Sequence, residues 1–156
     1  MYDLTYIENK NVDKHKWNAL VSSSNHSLFF HNYDYLNAFC VWDAIILDNY
    51  SGAIALPRIK KVGYLKLYQP SFIQKSNWIG ATLTPALIAQ LWILIQSKFD
   101  YVHFNSNILF GNMSAPRINL TLPITTLEKN QSNYSKSLRK NILKADSLVL
   151  IKDLNR

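Results

Sequence analysis

The sequence predicts an α/β (α+β) domain in which a mixed, largely antiparallel sheet is flanked by helices. Three observations predict it. The chain has 156 residues, 48% of them apolar and 13% aromatic, which is enough material for one packed core. Its middle holds consecutive strand-like segments separated by turn formers, the mark of antiparallel neighbours. Helix-period segments lie on either side of that run, where they can cover the faces of a sheet.

Leu4 to Ile7 reads as a first strand. Asp13 to Ser22 reads as a helix with Trp17, Leu20 and Val21 on one face, ended by the polar run Ser22 to Asn25. A second short helix is expected around Tyr33 to Phe39. Asp43 to Asp48 reads as a strand, and Asp48 to Gly52 as a hairpin loop of turn formers. Ala53 to Ile59 returns as the partner strand, with Pro57 suggesting an edge or a bulge. Tyr64 to Tyr68 alternates and completes a meander, and an irregular stretch from Gln69 to Leu83 follows. The clearest helix starts at Thr84, a plausible N-cap before Pro85, and buries Leu87, Ile88, Leu91, Trp92 and Ile95. Asp100 to Asn105 and Ile118 to Leu122 read as strands. A helix over Ser132 to Ala145 and a strand over Leu148 to Ile151 complete the chain.

Composition removes several function classes. The four glycines, Gly52, Gly63, Gly80 and Gly111, are too scattered for a P-loop, a dinucleotide fingerprint or a kinase glycine loop. The lone Cys40 excludes an intrachain disulfide and a multi-cysteine zinc site. Asp3 and Glu8 stand where a signal peptide would be basic and then apolar, and the longest greasy stretch, Ala86 to Ile95, is broken by Gln90. A cytoplasmic protein without a transmembrane segment is the expectation.

The net charge of +7 is unevenly spread. Residues 1–48 carry a net −3 and residues 49–99 a net +6 with no acid at all. Residues 100–128 are near neutral, and residues 129–156 carry a net +5. Basic blocks of this kind attract phosphates on nucleotides, nucleic acids or lipid headgroups, or simply keep a small protein soluble. The last block has internal order. Tyr134, Leu138 and Ile142 recur at helical spacing on one face, and Lys136, Lys140 and Lys144 on another with Arg139 beside them. Like charges at i, i+4 repel by a few tenths of a kcal/mol per pair. An uncompensated row therefore either faces solvent or meets an anion, for which Arg139 offers a forked donor.

The stretch Tyr134-Ser135-Lys136-Ser137-Leu138-Arg139-Lys140-Asn141-Ile142-Leu143-Lys144-Ala145 resembles the basic helix of Fem-type peptidyltransferases and related two-lobed proteins of the GNAT acyltransferase superfamily. Trp42 to Ile46, Ile54 to Lys61, Tyr68-Gln69-Pro70 and Ile118 to Ile124 are similar to the strand-hairpin-strand and later strand of the first lobe. The resemblance implies that residues 1–156 form a single GNAT-like lobe, the first half of a two-lobed protein, which would be inactive alone. It implies acceptor or phosphate binding by Tyr68, Gln69, Lys136, Arg139 and Lys140, with a nucleotide-sugar precursor or tRNA as the phosphate-bearing partner and a second GNAT-like lobe to complete the site. Acetyl-CoA-binding members use R/Q-x-x-G-x-G/A. Here Gln74 and Gly80 are six apart rather than three, so no cofactor is expected in this lobe and an aminoacyl-tRNA or acyl-CoA donor would belong to the second. The family's base near the second helix is also missing from Tyr33 to Asn37.

Other candidates have plainer explanations. His15, His26, His31 and His103 lack metal-ligand spacing and read as surface or strand residues. Cys40 reads as filler between apolar neighbours, and Trp78 as a core residue rather than a base-stacking one. The alternative function is a non-enzymatic basic module that binds RNA or an anionic surface. A single-lobe acetyltransferase with a degenerate cofactor loop is a third possibility.

Overall fold

The computed structural model describes residues 3–111, 114–116, 126, 129, 132 and 134–147. The chain divides into two compact units, Met1–Ala115 and Pro116–Arg156. The strands expected at Ile118 to Leu122 and Leu148 to Ile151 lie outside the described residues.

The first unit is mixed α/β. It runs β1 (Leu4–Glu8), α1 (Lys14–Ser23), α2 (Tyr33–Phe39), β2 (Trp42–Leu47), β3 (Gly52–Lys61), β4 (Tyr64–Leu67), β5 (Ile79–Gly80), α3 (Pro85–Lys98) and β6 (Tyr101–Val102). The sheet order is β1-β2-β3-β4-β6, with β5 paired to β3. Every pairing is antiparallel except β4 with β6. That exception follows from connection: β4 reaches β6 through α3, and only a crossover of this length returns a chain parallel to itself.

Each helix starts where its sequence supplies an acceptor for the first free N–H groups. Asp13 caps α1, accepting from His15 and Lys16 at 2.9 and 3.1 Å. Asn32 caps α2, accepting from Asp34 at 2.9 Å. Thr84 caps α3 through Leu87 at 3.3 Å, ahead of Pro85. The apolar stripes then choose the faces. Trp17, Leu20, Val21 and Leu36 pack on Trp42, Ala44, Ile46, Ala53 and Ala55. Leu87, Leu91, Ile95 and Phe99 pack on Ile45, Leu47, Ile54, Leu56 and Leu67. All six residues of β2 are buried because both of its faces are covered.

Three details depart from the sequence reading. Pro57 marks neither an edge nor a bulge. It sits in the central strand opposite Trp42, and its carbonyl accepts from Tyr68 at the point where β4 takes over as the next neighbour. Its nitrogen lies on the same edge as that carbonyl, facing Tyr68, so its missing donor breaks no rung with β2. The expected strand from Asp100 to Asn105 is short, because the Gln69 side chain inserts beyond Leu67 and takes the Asn105 N–H at 2.8 Å. Finally, the stretch after Gln69 contains β5, a two-residue strand laid against Gly52 and Ala53.

That seam needs two glycines. Gly80 adopts φ +93°, and a Cβ there would stand 2.4 Å from the Ser51 carbonyl oxygen. A Cβ on Gly52 would stand 2.4 Å from the Trp78 ring. Gly80→Ala is accordingly expected to destabilise the first unit by about 2 kcal/mol from backbone strain alone. Urea denaturation measures it, and an unchanged midpoint would show that the seam yields freely.

In the second unit the tail helix, α4, runs over Lys136–Ser147, so it starts later than Ser132. The Ser135 hydroxyl accepts from Leu138 N at 3.2 Å and sets that start.

Candidate functional site

The carboxyl ends of adjacent parallel strands are where α/β sheets place ligands, since the chain leaves the sheet there and opens a crevice. In the first unit these ends belong to β4 and β6. Tyr68 and Gln69 follow β4, and His103 to Asn105 follow β6. His103 N still donates to Leu67 O at 3.0 Å, after which the two chains part.

The two sequence-predicted residues at this point behave differently. Tyr68 is half-buried on the face shared with α2, and burial raises its phenol above the ordinary range. A phenol raised in this way stays protonated and does not act as a base. Gln69 holds the loop. Its Nε2 donates to the Ile73 carbonyl and its Oε1 accepts from Asn105 N at 2.8 Å. Asn105 in turn donates to the Gln74 carbonyl at 3.1 Å and accepts from Ser76 N at 2.8 Å. Gln69 thereby ties the loop after β4 to the segment after β6.

Lys136, Arg139 and Lys140 are exposed on α4 in the second unit. Arg139 spends one donor on the Ser132 carbonyl at 2.8 Å and has no carboxylate partner among the described residues. No acid lies in the first turn of α4. Leu138 and Ile142, placed on the other face by their spacing, are also exposed.

Two groups escaped the sequence reading. His31 is a buried hub rather than a surface or strand residue. Its Nδ1 accepts from Leu28 N at 2.9 Å, so the proton sits on Nε2, which meets the Lys75 carbonyl at 3.2 Å. Its own carbonyl accepts from the Trp17 indole at 2.8 Å. Burial lowers its pKa to about 4, outweighing the bond to Lys75. The other is Asp43, buried in β2. It accepts from the Tyr6 hydroxyl and from Asn9 N at 3.0 Å, and it pairs with the Arg58 guanidinium. Burial first, and then the bond to Asp43, hold the Tyr6 phenol well above its ordinary range. A polar residue beginning an apolar strand was the one available signal.

Cys40 is half-buried, and desolvation pushes its thiol up to about 11, so it is not a poised nucleophile. Trp78 is a core residue, its indole donating to Ala81 O at 2.7 Å. Among the described residues no group of three His, Cys, Asp or Glu gathers as metal ligands, and no helix is long and apolar enough to cross a membrane. A shallow cleft of about 530 Å³ opens beside α1 and α2, lined by Val21, Leu28, Phe29, Asn32 and Tyr35 among others, and no charged side chain lines it. No protein-family model, curated protein or solved structure matches the chain.

Proposed function

We propose that this chain is the first lobe of a GNAT-like, Fem-type acyl or aminoacyl transferase, that it contributes binding of a phosphate-bearing acceptor, and that a second lobe brings the acyl donor. The observation that carries this reading is the parallel β4/β6 pair joined through α3, following an antiparallel meander, with Tyr68 at the carboxyl end of β4. At that end Gln69 ties the loop after β4 to the segment after β6. The second unit, taken by itself, offers anion contacts on the exposed bases of α4, Arg139 as a two-pronged donor and Lys136 and Lys140 as point charges. The chemistry served is recognition of a dianionic or diester group rather than bond-making. Nothing at the strand ends combines a lowered thiol, a base and a nucleophile.

Isothermal titration with a nucleotide-sugar and with tRNA tests the reading. Arg139→Ala is expected to weaken binding about tenfold, the worth of one charge-assisted contact. Lys136→Ala with Lys140→Ala should weaken it further and flatten its salt dependence. If neither ligand binds, and Arg139→Ala changes nothing in a reconstituted two-lobe protein, the assignment fails.

A further inference from the structure

The α1/α2 layer does not reach the outer part of the sheet. The core cluster on that face contains no residue of β4 or β6. The pairing register shows what stands there instead. Ile59 lies opposite Lys66, Lys61 opposite Tyr64, and Lys66 opposite Tyr101, so all five side chains project from one face of three adjacent strands. Tyr64 is 59% exposed, Tyr101 55% and Ile59 44%. Lys66 Nζ stands 5.4 Å from the centre of the Tyr101 ring. Neither Lys61 nor Lys66 meets a carboxylate among the described residues.

We propose that this bare face binds single-stranded nucleic acid, with the Tyr64 and Tyr101 rings as stacking platforms for bases and Lys61 and Lys66 as phosphate contacts. The chemistry follows from the pattern. Two rings on neighbouring strands, offset by two residues along the sheet, stand about 8 Å apart, given a strand spacing near 4.8 Å and a rise near 3.3 Å per residue. Successive bases of an extended strand can occupy such a pair, whereas bases stacked inside a duplex cannot reach it. Lysines alternating with the rings match a polyanion that runs across the strands. Uncharged apolar partners gain nothing from Lys61 and Lys66, and the Ile59 side chain adds apolar floor for a base edge. The residues involved differ from those of the proposed acceptor site, so the two readings stand or fall separately.

Fluorescence anisotropy of the full chain with a labelled oligo-uridylate at low salt tests the proposal. Binding is expected, and Tyr64→Ala or Tyr101→Ala should each weaken it by about tenfold or more. Tyr64→Phe with Tyr101→Phe keeps the rings and should retain most of the affinity, which separates stacking from a folding defect. Lys61→Ala with Lys66→Ala should reduce the slope of log affinity against log salt by about 1.4. Four outcomes overturn it: no binding at low salt; equal affinity for duplex; loss on Arg139→Ala but not on Tyr101→Ala; or binding to anionic phosphatidylglycerol vesicles with none to the oligonucleotide.

Discussion

Replacing Asp43 with alanine is expected to destabilise the first unit by about 3 kcal/mol, toward the lower end of what breaking a buried pair costs because Arg58 retains some access to water. The loss has three parts. The Arg58 guanidinium, 30% exposed, keeps its charge and loses its counter-ion. The Tyr6 hydroxyl and the Asn9 N–H lose their acceptor in a half-buried setting. Urea denaturation of the wild type, Asp43→Ala, and Asp43→Ala combined with Arg58→Met measures this. The double variant should recover a large part of the loss, since an apolar pair of similar volume avoids the stranded charge. A double variant no more stable than Asp43→Ala would show that the hydrogen bonds to β1, rather than the charge pair, dominate.

Mild acid is expected to weaken the same unit through His31. His31 titrates near 6.5 when unfolded and near 4 when folded. Between those values the unfolded chain binds a proton that the folded chain refuses, so stability is fully present above about pH 6.5 and falls as pH drops toward 4. The accumulated loss is about 3 kcal/mol, at 1.36 kcal/mol per pH unit of separation. Unfolding free energies measured at stepped pH should show uptake of about one extra proton in this window. His31→Gln can accept and donate in the same positions without titrating. It should start less stable and lose most of that slope. An unchanged slope in the variant would move the effect to another group.

Much of this architecture was legible. Trp17, Leu20 and Val21 at helical spacing, Thr84-Pro85 before an apolar stripe, and the turn formers around Asn49 are local signals, and local physics decided those elements. Tyr68 and Gln69 also fall at a strand end, as their position after an alternating segment implies. What was not legible depends on partners distant in sequence. Nothing near Ile79 announces that it will pair with Ala53, and the two glycines that permit it are 28 residues apart. Pro57 costs no rung with β2 because its nitrogen faces the β4 edge, where Tyr68 has already left the strand. His31 looks like a loop residue until Leu28, Lys75 and Trp17 close around it. Nothing near Gln69 announces that its amide will hold Asn105, 36 residues on.

The connections of the sheet also order its assembly in chain-entropy terms. The turn between β2 and β3 spans residues 48–51, and that between β3 and β4 is only Val62 and Gly63, both at positive φ as a tight hairpin requires. Closing these contacts restricts little chain, whereas docking β1 on β2 encloses both α1 and α2 in the loop. The meander is therefore the segment that can pair before the rest is ordered. The first strand joins at a larger entropic cost, and Asp43, already placed on β2, is the hook that catches it through Tyr6 and Asn9.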